Sequence, residues 1–424
     1  MASVVFYFEV HQPHRLKRYS VFDSHPFYFD DPKNEAICLK VAEKCYRPAT
    51  TLLLDLVRRH KGNFRISYSI TGTVLDQMER FCPDVIDMFK ALAETGCCEF
   101  IGETDYHSLA FLYDREEFRA QVDLHTRRIE SLFGQRPTVF RNTELIYANE
   151  LAHFLSTMKD DAGDCRWHGC ITEGVDRILG YRSPNYVYAP PGRPMGRGRR
   201  PFGLLLKNYR LSDDIAFRFS NRGWSEWPLS AEKFAQWVHQ INGDGYLCNL
   251  FMDYETFGEH QWADTGIFHF LEELPNKVFD VARGENHFIT PSEALQQFSP
   301  VGEYDAPNYI SWADTERDLS AWRENAMQHN ALEEFYKLGK VIHSRHRQAV
   351  ASGDHAEIEQ AAHLVTDWRR LSTSDHFYYM CTKYWSDGDV HKYFSPYDSP
   401  YDAYINFMNV LDNLRTRAGE AVAV

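Results

Sequence analysis

The sequence predicts an α/β protein in which a parallel sheet closes toward a barrel and a helical region follows. Three observations lead there. Short apolar runs at 4–9, 64–70, 98–101, 138–141, 169–172, 204–207 and 246–252 are rich in Val, Ile, Leu and Phe. Most lack strict alternation, the mark of parallel strands buried on both faces. Amphipathic segments separate them, and repeated strand–helix units give a parallel sheet, with about seven such units enough to close it. Beyond residue 318 the pattern turns helical.

The clearest helix is 116–133. Asp114 and Glu117 have the spacing of a capping box, with Asp in place of Ser or Thr. Phe118, Val122, His125, Ile129 and Leu132 then share one face, and Gly134 ends the helix. Residues 188–203, YAPPGRPMGRGRRPFG, are dense in Pro, Gly and Arg and read as a long loop. Their four arginines either grip an acidic partner or are simply solvated. Asp213 and Asp214 precede a possible strand at 215–219, or form only a turn. Residues 298–312 read as a connection. After it come three apolar stripes: Leu332, Phe335, Tyr336, Val341 and Ile342; Ile358, Ala361, Leu364, Val365 and Trp368; Ile405, Met408, Leu411 and Leu414. The expected division is a barrel over 1–297, a connection over 298–317 and a helical domain over 318–424.

Composition narrows the function. The chain of 424 residues is 44% hydrophobic and 25% charged, which excludes disorder and collagen-like chains. A formal charge of −14 disfavours nucleic acid and anionic membranes as partners. An aromatic content of 15% suits a hydroxyl-rich ligand, since flat rings with polar tips stack on sugars, although aromatic cores look the same. Nine cysteines without CxxC spacing read as reduced thiols in a cytoplasm. Neither a signal peptide nor an apolar run long enough to span a membrane is evident.

Polar residues gather at predicted strand ends. His11 follows the first strand; Glu99 lies in the third, with Glu103, Asp105 and His107 just after it; Glu144 follows the fourth; Asp253 and Glu255 end the seventh. All strand C-termini of a parallel barrel open on one face, so these clusters converge. Paired carboxylates without an activated Ser or Cys suit glycoside hydrolysis, one attacking the anomeric carbon and the other protonating the leaving oxygen. The competing chemistry is zinc, held by a set drawn from His11, His14, Asp105, His107 and His260. Glu255 and Glu259 flank Asp253, and one of them is expected to hold a like charge near it and raise its pKa. Trp224, Trp227, Trp262, Trp312 and Trp385 are candidates to line sugar subsites or to pack in the core. Residues 384–401 read as a lid, a carbohydrate platform or a packed loop.

Five segments then acquire a common meaning. HQP (11–13), CEFIGETDYHSL (98–109), RNTELIY (141–147), FMDYETFGEHQW (251–262) and TSDHFYYM (373–380) resemble, in order, the five motifs of glycoside hydrolase family 57. The resemblance is nearest to the α-amylase-like branch and spans positions 11 to 380. It implies an incomplete (β/α)7 barrel of TIM type followed by a helical domain that completes the active-site cleft. It also implies a retaining mechanism on α-glucans or maltooligosaccharides, with no metal or cofactor. Glu144 matches the family's nucleophile and Asp253 its general acid/base. His11 and Glu99 match positions lining the sugar subsite at the cleaved bond, and Asp375 with Tyr378 match the fifth motif. His107 belongs with them as a substrate-binding candidate. Arg141 and His260 stand where relatives place aromatics, which puts the preferred substrate in question. The expected function is α-amylase, with 4-α-glucanotransferase, branching enzyme and non-catalytic glucan binding as alternatives.

Overall fold

The computed structural model describes residues 2–281, 285–385 and 395–419. All seven predicted strands are present: β1 (Ser3–Val10), β2 (Ile66–Ile70), β3 (Cys98–Phe100), β4 (Val139–Arg141), β5 (Gly169–Glu173), β7 (Gly203–Lys207) and β8 (Leu247–Asp253). Two more, β6 (Val187–Tyr188) and β9 (His287–Phe288), are two residues each, too short to leave a periodic signal.

Parallel ladders run β3-β2-β1-β8 and β4-β5-β7, so β8 returns to β1. Two seams remain. Between β3 and β4, Gly102 donates to Val139 O at 2.9 Å, and Arg141 N donates back to Gly102 O at 2.7 Å. Between β7 and β8, Asn249 Nδ2 donates to Leu206 O at 2.8 Å, and Asn208 N donates to Asn249 O at 2.9 Å. The result is a seven-stranded barrel in which these two seams are bridged rather than laddered. β6 pairs antiparallel with β7, and β9 extends beside β1.

Strand parity sets what each residue faces. Val4, Phe6, Phe8 and Val10 of β1 join the cluster under the outer helices, whereas Val5 and Tyr7 pack inside the barrel with Ile101, Val139, Ile171, Leu205 and Phe251. Glu9 and Asp253 have the inward parity and lie in register on neighbouring strands. A third cluster joins the remaining barrel helices to the C-terminal region: Phe118, Phe140 and Trp167 share it with Phe335, Trp368 and Phe407. The helices Ala326–Ser352, His355–Leu371 and Pro400–Arg417 are thus packed on the barrel by one continuous apolar core.

Local expectations fare differently. Asp114 caps the helix Arg115–Phe133 by accepting from Glu116 N and Glu117 N, both at 3.0 Å, and Gly134 closes it at φ 67°. The Glu117 carboxylate does not return to the cap. It accepts from Arg369 Nε at 2.8 Å and Nη2 at 3.0 Å, tying the helical region to the barrel. The possible strand at 215–219 is instead a π-helical turn, Asp214–Arg218, continuing Tyr209–Asp213, since its apolar run is buried from one side only. In the long loop, Arg197 pairs with Asp160 at 2.8 Å and Arg193 lies 3.5 Å from Glu303, so two of its arginines are matched within the chain. All nine cysteines are buried and free. Among the described residues, no helix is long and apolar enough to cross a membrane.

Candidate active site

A cavity of about 260 Å³ opens at the C-terminal mouth of the barrel. His11, His107, Glu144, Asp253, His260, Asp375 and Tyr378 all line it, bringing seven of the nine expected site residues together. Asp375 and Tyr378 come from the short helix Ser374–Tyr378, so the C-terminal region supplies one wall.

Glu144 sits on a turn after β4 with left-handed φ/ψ of 57° and 27°, and Leu145 follows at φ 51°. Neither residue favours that region, at about 1–3 kcal/mol for each such residue. The turn is held by its surroundings, which aim the carboxylate into the cavity. Trp312 Nε1 donates to Glu144 Oε2 at 2.7 Å. His107 Nε2 lies 3.3 Å from Oε1, and Ser374 Oγ donates to the same oxygen at 3.4 Å. Burial raises the Glu144 pKa, while the Arg141 charge and the Trp312 hydrogen bond hold it back. Trp312→Phe removes a donor to a charged oxygen, worth about 1.5–3 kcal/mol, so kcat falls about 10- to 100-fold in steady-state assays.

Asp253 ends β8 on the barrel's inner face. Burial raises its pKa; the His260 charge works against that, and the Glu144 charge adds to it. Glu144 is thus a like charge acting on Asp253; of the two flanking glutamates, Glu255 also interacts with Asp253 by like charge, whereas Glu259 is committed elsewhere. Glu259 is occupied by Lys40 and Lys44, and Glu255, which lines the cavity, accepts from Tyr46 Oη while desolvation pushes its pKa up to about 7.

His11 and His107 stack with ring centroids 4.0 Å apart. His11 Nε2 lies 2.9 Å from Asp375 Oδ2, and its Nδ1 is 3.0 Å from Thr71 Oγ1. Burial opposes charge on His11, but Asp375 outweighs it and the pKa rises. Burial likewise opposes charge on Asp375, which His11 nonetheless holds well below the usual carboxylate range. His107 is pushed down to about 3 by burial and by the neighbouring His11 charge, so it is neutral. Burial also lowers His260.

Two expected site residues are elsewhere. Glu99 has inward parity but is the middle residue of β3, where it accepts from Ser292 N at 2.9 Å in the first turn of the helix Pro291–Gln297. It sits within the strand, not after it, so it closes the barrel floor. Arg141 is fully buried behind the cavity wall, hydrogen-bonded to Glu9 and 3.6 Å from Glu103, with its guanidinium 5.3 Å from the Trp312 ring centre. It supports the wall and is not available to stack on sugar.

The five-residue zinc set does not assemble. His14 faces Asp76 at 3.6 Å, and Asp105 lies against Gly72, both outside the cavity. The ligand atoms of His11, His107 and Asp375 do lie within 4.8 Å of one another, as do those of Glu9, Glu103 and His107; either trio could hold a metal ion.

Among the tryptophans, Trp312 lines the cavity, Trp224 packs on Trp237, and Trp227 and Trp262 are exposed away from it. The Trp385 side chain and residues 386–394 of the 384–401 segment lie outside the described residues. Sequence reading missed Glu9 and Lys207, which also line the cavity; their signal is a charged residue of inward parity at the C-terminal end of an apolar strand. Gly258 lets the loop bearing His260 pass Lys44: its φ is +112°, and a Cβ there would lie 1.9 Å from Lys44 O. Gly258→Ala is expected to cost roughly 2–4 kcal/mol, read as a lower denaturant midpoint.

Two carboxyls, Glu144 held by hydrogen-bond donors and Asp253 with its pKa raised by burial, face one cavity at a barrel mouth, the kind of site on which a glycoside hydrolase works. Comparison with known proteins narrows the class. The model for glycosyl hydrolase family 57 matches residues 5–307, and the chain belongs to that family. It is 41% identical over 415 residues to a protein of Methanocaldococcus jannaschii named "Putative alpha-amylase", an alignment covering 96% of this chain and 83% of the relative. Its fold is similar to that of a branching enzyme from Pyrococcus horikoshii, with TM-score 0.66, 13% identity and coverage of 99% and 95%. It is also similar to a 4-alpha-glucanotransferase from Thermococcus litoralis, with TM-score 0.58 and 16% identity. There 89% of this chain is covered, and it spans little more than half, 56%, of that longer protein.

Proposed function

We propose that the protein is a retaining enzyme of α-amylase type that cleaves α-1,4-glucans through a covalent glycosyl-enzyme. The observation that carries this reading is the contrast between the two carboxylates. Burial raises both pKa values, but Glu144 has the Arg141 charge and the Trp312 Nε1–H favouring its anion, whereas Asp253 has the Glu144 charge favouring its acid. A Glu144 oxygen attacks the anomeric carbon; the glycosidic C–O bond breaks as the Asp253 proton passes to the leaving oxygen. Asp253, now a carboxylate, takes the proton of the incoming hydroxyl, whose oxygen displaces Glu144. His11, His107, His260, Asp375 and Tyr378 are the polar groups available to hold the sugar. In this reading residues 318–424 act as a helical domain completing the cleft.

Water as acceptor makes the enzyme an amylase; a sugar hydroxyl makes it a glucanotransferase or branching enzyme. One feature favours the second reading: Phe217, carried by the π-helical turn, lines the cavity while 64% exposed, as a platform for an acceptor sugar would. Incubation with maltoheptaose separates the two. Shorter oligomers with new reducing ends are the expected result. Longer products at constant reducing ends would replace the amylase by a transferase. Binding without product would leave a glucan-binding protein.

A further inference from the structure

One cation in the cavity wall has no part in the mechanism above. Lys207 ends β7, and the parity that points Leu205 into the barrel points Lys207 the same way. It pairs in register with Glu173 of β5, and β8, which ends at Asp253, is the next strand round, across the Asn249 seam. Lys207 is only 5% exposed and lines the cavity. An ammonium so placed needs counter-charge, and acceptors for its three N–H groups.

The counter-charge is complete, but the acceptors are not. Arg317 Nη1 donates to Glu173 Oε2 at 2.7 Å, and its Nη2 lies 3.6 Å from Asp213 Oδ2. Lys207 Nζ donates to Asp213 Oδ1 at 3.1 Å, whereas Glu173 Oε2, at 3.8 Å, is beyond hydrogen-bond range. The Trp312 ring, its centre 5.1 Å away, attracts the charge without accepting an N–H. Among the described residues, Asp213 is therefore the single hydrogen-bond partner of Lys207 Nζ, and two N–H groups are left for a ligand in the cavity. Their place relative to the reacting bond follows from strand order. β8 lies between β1 and β7, so Asp253 stands between His11, which follows β1, and Lys207. The helix Tyr209–Asp213 runs directly into the turn that carries Phe217, so Lys207, Trp312 and Phe217 line the same side. A general acid reaches the oxygen joining two sugars, which puts one sugar on either side of Asp253.

We propose that Lys207 is a substrate-binding residue for the leaving sugar: held by Asp213, its ammonium donates to a hydroxyl of the unit whose oxygen Asp253 protonates. This rests on the glucan-cleaving reading and on the roles of Glu144 and Asp253 in it. Because Asp213 already fixes the long side chain, the donor is in place before the sugar arrives, and little ordering remains to be done on binding. A leaving group without a hydroxyl satisfies neither of the two N–H groups, so the site discriminates by what it leaves unpaired.

The test compares two substrates that put the same sugar in the donor position and differ in the leaving group. In kcat/KM, Lys207→Met is expected to lose about 10- to 100-fold on maltoheptaose, the range for a lost hydrogen bond to a charged group. On α-maltosyl fluoride, whose halide leaving group has no hydroxyl, the loss is expected to be about tenfold smaller. Each protein is measured at its own pH optimum, because the Lys207 charge also acts on Asp253. An equal loss on the two substrates, or no loss on maltoheptaose, overturns the proposal. Should Lys207→Met fail to fold, the double variant Lys207→Met/Asp213→Asn removes the ammonium together with its counter-charge, leaves Arg317 on Glu173, and is expected to show the same split. A wild-type protein that turns over neither substrate overturns the glucan reading and this proposal with it, and is distinguishable from every variant result.

Discussion

Glu144→Gln is expected to lower kcat by about 10⁴-fold or more, since an amide oxygen does not form the glycosyl ester and the stepwise route closes. The fold should survive this change. Trp312 Nε1 still finds an oxygen acceptor, and the substitution removes the cost of burying a carboxylate whose pKa the protein raises. The sign follows from linkage: a carboxyl with a folded-state pKa above its unfolded value destabilises the protein once ionised, so at neutral pH the variant melts at the same temperature or higher. Rapid-quench mass spectrometry completes the test. A glycosyl adduct on the peptide containing Glu144, present in the wild type and lost in the variant, is the expected pair of results; near-normal turnover by Glu144→Gln ends the assignment.

Asp253→Asn is expected to cost about 10²–10⁴-fold on natural glucans, the usual contribution of general acid–base catalysis. It should cost far less in the first step with an α-maltosyl fluoride, because fluoride leaves without needing a proton. Azide, which attacks without giving up a proton, should speed the second step in the variant and leave the wild type unmoved. The pH profile carries the same signature. Rate rises as Glu144 ionises and falls as Asp253 loses its proton, and both groups have raised pKa values, so the wild-type bell lies above that of ordinary carboxylates. Its two limbs belong to the coupled pair, since each charge acts on the other. In Asp253→Asn the alkaline limb disappears. An alkaline limb that persists unchanged would assign it to another group, with Glu255, raised to about 7, the next candidate to remove.

Much of the site was legible because carboxylates and histidines placed just after apolar strands must converge at one barrel mouth. His11, His107, Glu144 and Asp253 are such residues, and all four line the cavity. Glu99 misled for a definite reason. Position along a strand decides which end of the barrel a side chain reaches, and Glu99 lies in its strand, pointing to the floor. Arg141 misled differently: a sequence position at a strand end does not tell whether a side chain reaches the cavity or stops in the wall behind it. The converse error hid Glu9, which reads as the end of an apolar strand until parity pairs it with Asp253.

The amino-acid order alone thus determined the strand–helix alternation, the two carboxylates and the helical character of the C-terminal region, because periodicity and residue chemistry are local properties. Only the tertiary structure decided that Glu117 binds Arg369 rather than its own helix cap, that Asp375 meets His11 across 364 positions, and that Arg141 is buried with Glu9 and Glu103. Those outcomes depend on which surfaces the closed barrel and the packed helices exclude from water. Desolvation is a property of the assembled fold, and it raises the pKa of Glu144 and of Asp253 alike.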